Sequence, residues 1–239
     1  MISLKSMESL IGLVTLVLAY FIVVTISGVF RAWVAKLMGD DTPEKMGFLS
    51  FNPFIHTDPI GFFFLLIFRF GWGRYIPINP FNIVGRFRVI RLFLAYISDT
   101  FIHLVMATIS LVTLIIYFGL NVLRFSIPML LSGVSAHAGL AAAYPEYSSF
   151  AISMAMIIMA MIYLNVILAV LNFFISFFGF LIMVFADKFA SFGRYKDIAI
   201  ILIPMFLIFM SIRYLHLPFW VVFFITKLGT YIASLIGVA

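Results

Sequence analysis

Between Gly47 and Pro80 the chain is apolar enough for a membrane and too broken for a membrane helix. Pro53, Pro59, Gly61, Gly71, Gly73, Pro77 and Pro80 interrupt it, so no straight helix of about 20 residues fits. The best helical candidate inside it, 60–70, is about half the length that crosses a bilayer. Irregular backbone at membrane depth finds no water for its amides, so it must be covered by protein or line a wet cavity. We therefore read 47–82 as a re-entrant or interfacial element. Short extended pieces are expected at 49–51 and 75–78.

The flanking sequence sets the class. With 65% hydrophobic and 10% charged residues and a mean hydropathy of +1.22, the chain is not an ordinary soluble domain. Apolar spans are expected at 10–26, with helix continuing to 37, at 89–120, from 149 towards 187, and at 198–215. The third is too long for one crossing, so it projects from the membrane or kinks near Gly179. The tail 217–239 holds Lys227 centrally and either spans or lies at the interface. Residues 124–149 form a loop on the opposite side of the membrane from the re-entrant element. The expected fold is a single integral membrane domain over 1–239, an all-α polytopic bundle of about four or five transmembrane helices. A re-entrant, short β element separates the first two.

Charge placement orients it. Of 15 basic residues, 11 follow span one or span three: Arg31, Lys36, Lys45, Arg69, Arg74, Arg86, Arg88, Arg91, Lys188, Arg194 and Lys196. The positive-inside rule puts these on the cytoplasmic side and the amino terminus outside. Basic residues placed this way report topology, so the net charge of +6 implies a lipid bilayer partner and no nucleic acid. No cysteine is present, which removes disulfides and thiolate metal sites. The first apolar run leads into a motif rather than a small-residue cleavage site, so no cleavable signal peptide is expected.

That motif is Ser27-Gly28-Val29-Phe30-Arg31-Ala32-Trp33-Val34-Ala35. About ten residues on, from Gly47, the next segment carries Asn52-Pro53, His56 and Asp58-Pro59, followed by Gly71-Trp72-Gly73-Arg74-Tyr75-Ile76-Pro77-Ile78-Asn79-Pro80. In order and spacing these segments resemble the short branch of the site-2 protease family, zinc enzymes that cut peptide bonds within the membrane. The resemblance implies His-Glu-x-x-His where this chain has Ser27, Gly28 and Arg31. It implies a third ligand, Asp, in a segment whose two asparagines match Asn165 and Asn172 and whose Asp position is Phe180. Two imidazoles on one helical face, a third ligand and a carboxylate base make a zincin site. Ligands and base are missing together here, so no catalytic residue, metal or cofactor is expected.

The resemblance also implies a cleft in which an extended substrate pairs with an edge of the re-entrant element. On that basis Asn52, Pro53, His56, Asp58, Pro59, Trp72, Pro77, Asn79, Pro80, Asn165 and Asn172 are candidate cleft residues. Read from residue type alone, the same prolines, Asn52 and Asp58 set turns and satisfy loop amides. Asp99 and His103, four apart on span two, share a helical face and form an intramembrane polar pair. They make a proton path, a metal half-site, a partner contact, or a buried hydrogen bond to Asn172 or Arg31. His137 and His216 are read as surface loop residues.

The expected function is therefore a catalytically inactive, site-2-protease-like protein of a bacterial inner membrane. It would bind a segment of a partner membrane protein as scaffold or regulatory subunit. The alternatives are an active metalloprotease with ligands rebuilt from His56, Asp99 and His103, and a proton or ion pathway through Asp99 and His103.

Overall fold

The computed structural model describes residues 4–125, 137–184 and 217–237. Three helices in it are long and apolar enough to cross a membrane: α1 (Leu4–Met38), α5 (Arg88–Phe118) and α7 (Ser149–Val184). Between α1 and α5 lie α2 (Thr42–Lys45), α3 (Pro53–His56) and α4 (Pro59–Phe68). A short α6 (His137–Ala143) precedes α7, and α8 (Leu217–Leu235) closes the described chain. The span expected at 198–215, the basic residues Lys188, Arg194 and Lys196 that follow span three, and His216 lie outside the described residues. His137 opens α6.

α5 packs along α7, both pack on α1, and α8 lies mainly against α5. Hydrocarbon gives apolar side chains little reason to leave it, so close helix contact depends on small residues. Ala19, Ala35, Ala95, Ala107 and Ala160 are all fully buried among these helices. On α1, Leu10, Val14, Leu18 and Ile22 recur every fourth residue and stay exposed, forming the outward apolar stripe expected of a helix facing lipid. α7 continues unbroken through Gly179 for 36 residues, about 54 Å at 1.5 Å per residue. That exceeds a hydrocarbon core of about 30 Å, so it tilts or projects. Gly179 itself lies against the ring of Tyr96, where an added Cβ would come within 3.2 Å of the ring.

The re-entrant element is helix, turn and unpaired extended chain. Asn52 and Asp58 are N-caps whose side chains accept from Phe54 N (3.1 Å) and Gly61 N (2.7 Å), each followed by proline at the first helical position. α4 ends at Arg69 in the left-handed conformation, with φ 59°. The chain then returns so tightly that a Cβ on Gly61 would meet Trp72 O at 2.2 Å, and one on Gly71 would meet Gly61 O at 2.2 Å. Tyr20, fully buried on α1, donates to Trp72 O (2.8 Å) and fixes the return onto α1.

The extended pieces expected at 49–51 and 75–78 are not strands. Among the described residues, bridging is confined to the isolated Thr57–Gly73 pair, beside which Arg74 N donates to His56 O (2.7 Å). Pro77 lacks a donor, and Ile76 and Ile78 pack inward against α1 and α5. Among the described residues, the 75–78 backbone bonds to no other backbone.

Candidate functional site

α1, α5, α7 and the return 70–76 enclose a cavity of about 660 Å³. Its apolar wall includes Val24, Trp72, Ile76, Leu168, Leu171 and Ile175. Its polar wall includes Ser27, Arg31, Asp99, His103, Asn172 and Ser176, with Arg74 and Tyr75 beside them. Tyr75 and Ile76, whose backbone groups bond to no other backbone among the described residues, help to line the space.

Arg31 dominates the electrostatics. It is 4% exposed, and its Nη1 donates to Asp99 Oδ2 at 2.5 Å and to Ser176 Oγ at 3.5 Å. Its guanidinium carbon lies 5.4 Å from the centroid of the Tyr75 ring. Nε is buried with no partner. A buried cation without a counterion costs several kcal/mol, so the position of Asp99 one helix away determines whether Arg31 is tolerable.

Asp99 and His103 share the cavity wall but bond elsewhere. Asn165 donates from Nδ2 to Met161 O (2.8 Å), which leaves its Oδ1 to accept from His103 Nδ1 at 2.7 Å. This bond ties α5 to α7 at a fully buried asparagine.

His56 is 1% exposed and packs against Gly28 of α1 without lining the cavity. Its Nε2 donates to Ser50 O (2.7 Å), so Nδ1 carries the lone pair and faces Gly28 with no partner. Burial holds its pKa below the ordinary histidine value; the bond to Ser50 opposes that shift and Arg74 adds to it.

Of the eleven candidate cleft residues, Trp72 and Asn172 line the cavity. Asn52, Pro53, Asp58 and Pro59 cap and start α3 and α4. Asn79 and Pro80 belong to the turn before α5: Asn79 N donates to Asp40 Oδ2 (2.7 Å) and Pro80 O accepts from Arg88 (3.3 Å). Pro77 stands between the buried Ile76 and Ile78. Asn165 is bonded to His103, off the cavity wall. Phe180 packs edge-on against Phe93, with centroids 5.3 Å apart.

A zinc ion of the kind the resemblance implies does not fit these residues. Ser27 turns its hydroxyl to Val24 O (3.4 Å), Gly28 has no side chain, and Arg31 is a cation engaged by Asp99. Among the described residues, no three of His, Asp and Glu stand close enough together to hold a metal. His56, Asp99 and His103 therefore do not converge into a rebuilt ligand set.

Sequence reading missed Asp40. It is fully buried at the end of α1 and accepts from Thr42 N (3.1 Å), Thr42 Oγ1 (2.6 Å), Asn79 N (2.7 Å) and Asn82 Nδ2 (2.8 Å). The available signal was an acid directly after a helix-ending glycine, with Thr42 two residues on.

Comparison with known proteins gives a partial match. Over 64 residues, 27% of this chain, the sequence is 42% identical to "Putative zinc metalloprotease YwhC" of Bacillus subtilis (strain 168). The match spans 29% of that relative's length. No family model and no solved structure matches the chain.

Proposed function

We propose that this chain is a catalytically inactive, site-2-protease-like membrane protein. It binds an extended or transmembrane segment of another membrane protein in the cavity between α1, α5 and α7, as a scaffold or regulatory subunit. The Arg31–Asp99 pair carries the reading. An ion pair occupies the wall where the resembled enzymes hold zinc, while the space for a bound segment is kept. The unpaired backbone at 75–76 supports the second half, because an edge of this kind recognises a peptide through main-chain bonds and needs no catalytic group. The partial likeness to a zinc metalloprotease supports the ancestry. The membrane is a bacterial inner membrane, and the amino terminus lies outside it, in keeping with the arginines that follow α1.

Two measurements test this. A photoreactive amino acid at Tyr75, irradiated in native membranes, should give a discrete adduct with one membrane protein. The same probe at Val14, on the outward stripe of α1, should not. Stoichiometric zinc on the purified protein, or a Tyr75 pattern identical to that from Val14, would overturn the proposal.

A further inference from the structure

The turn from the extended segment into α5 has a composition that the cavity does not explain. Residues 81–91 contain Arg86, Arg88 and Arg91 and no acid. Two of these arginines hold the turn together. Arg88 Nε donates to Ile83 O (3.1 Å) and its Nη2 to Pro80 O (3.3 Å), while Arg91 Nη1 donates to Val84 O (2.7 Å). Carbonyl oxygens neutralise no charge, and most of the guanidinium N–H donors are left over. Arg86 is exposed, its guanidinium carbon 5.6 Å from the centroid of the Phe87 ring.

The neighbouring acids are already engaged. Asp40 already accepts four hydrogen bonds, two from Thr42 and one each from Asn79 and Asn82. Glu44 pairs with Lys36 and Asp41 with Lys45. Among the described residues, Arg86, Arg88 and Arg91 have no carboxylate partner.

Around these cations the apolar side chains point outward: Phe81 is 79% exposed, Val84 62%, Phe87 60% and Ile90 57%. A soluble anion would leave those four side chains in water. A phospholipid satisfies both halves, its phosphate on the guanidiniums and its acyl chains along the apolar side chains. The location agrees, since the arginines occupy the start of a 31-residue apolar helix whose N-terminal dipole also favours an anion.

We propose that residues 81–91 form a binding site for the headgroup of an anionic phospholipid, anchoring α5 at one face of the bilayer. The site lies apart from the cavity and does not depend on what the cavity binds.

The test is native mass spectrometry of the full chain in neutral detergent, with phosphatidylglycerol and phosphatidylcholine offered in equal amounts. Retained lipid should be mainly phosphatidylglycerol. Arg86→Gln should lower that preference about fivefold, the effect of one interfacial arginine, and Arg86→Glu should lower it further. Arg86 is exposed and makes no hydrogen bond or ion pair among the described residues, so these variants keep the fold, as circular dichroism would verify. The combined R86Q/R88Q/R91Q chain should lose the preference entirely. Equal retention of the two lipids by the unaltered chain, or an unchanged preference in Arg86→Glu, would overturn the proposal. So would complete displacement of the lipid by millimolar inorganic phosphate, which would mark a site for free anions.

Discussion

His56 occupies the volume that a side chain at residue 28 would need. A Cβ built on Gly28 would stand 2.1 Å from His56 Nδ1, well inside contact distance. The ring cannot swing clear without breaking its bond to Ser50 O and leaving its pocket beside Phe48. In an exposed helix, Gly→Ala adds up to about 1 kcal/mol of stability. Here Gly28→Ala should instead destabilise by about 1–3 kcal/mol, the usual cost of overpacking. In the double variant Gly28→Ala/His56→Ala the two effects should be less than additive, by about 0.5–3 kcal/mol. Thermal unfolding in detergent reads both, and strict additivity would show that the two residues do not compete for space.

The ion pair gives a second asymmetry. Removing one partner of a buried pair leaves a charge stranded, at about 3–5 kcal/mol, while replacing both with apolar residues of similar size is often near neutral. Arg31→Met and Asp99→Leu should each lower the unfolding temperature sharply, and the double variant should recover most of the loss. If the double variant is as unstable as the worse single one, the pair matters for more than its charge.

Much of this architecture is legible from composition, and some of it cannot be. Long apolar runs mark α1, α5 and α7 because a bilayer admits few alternatives to a helix. The pairs Asn52-Pro53 and Asp58-Pro59 announce α3 and α4, since a cap followed by proline has a local cause. Position in a motif does not say which face a residue turns to the cavity, and that is why Asn79 and Pro80 sit in a turn rather than in the cleft. The contact of His56 with Gly28, and that of Asp99 with Arg31 across 68 positions, depend on how helices pack, which no local pattern encodes.

The depressed pKa of His56 gives stability a pH dependence. The folded state binds a proton at His56 less readily than the unfolded chain, whose histidine titrates near pH 6.5. Between the folded value and about 6.5 the unfolded state holds more protons, so stability rises with pH there. The contribution is fully present above about pH 6.5 and is lost as pH falls below it, by at most about 1.4 kcal/mol per pH unit. His56→Gln keeps a donor for Ser50 O and removes the titration, so its unfolding temperature should fall less between pH 7 and pH 5. Parallel curves for the two chains would locate the acid sensitivity elsewhere.

Asp40 links the end of α1 to the turn that feeds α5. Its carboxylate takes two hydrogen bonds from Thr42, one from Asn79 N and one from Asn82 Nδ2, all at a fully buried position. An amide in its place would present an NH2 to groups that are already donors, so one carboxylate oxygen loses its partners and at least one buried donor is orphaned. The penalty for an unsatisfied buried group is about 1–3 kcal/mol, more where the lost partner was charged. Asp40→Asn should therefore destabilise by about 2–3 kcal/mol, and hydrogen exchange at Asn79 and Asn82 should quicken before exchange in α7 does. Uniform acceleration along the chain would mean that Asp40 supports the whole bundle; a change confined to 79–82 would mark it as the fastening of this turn.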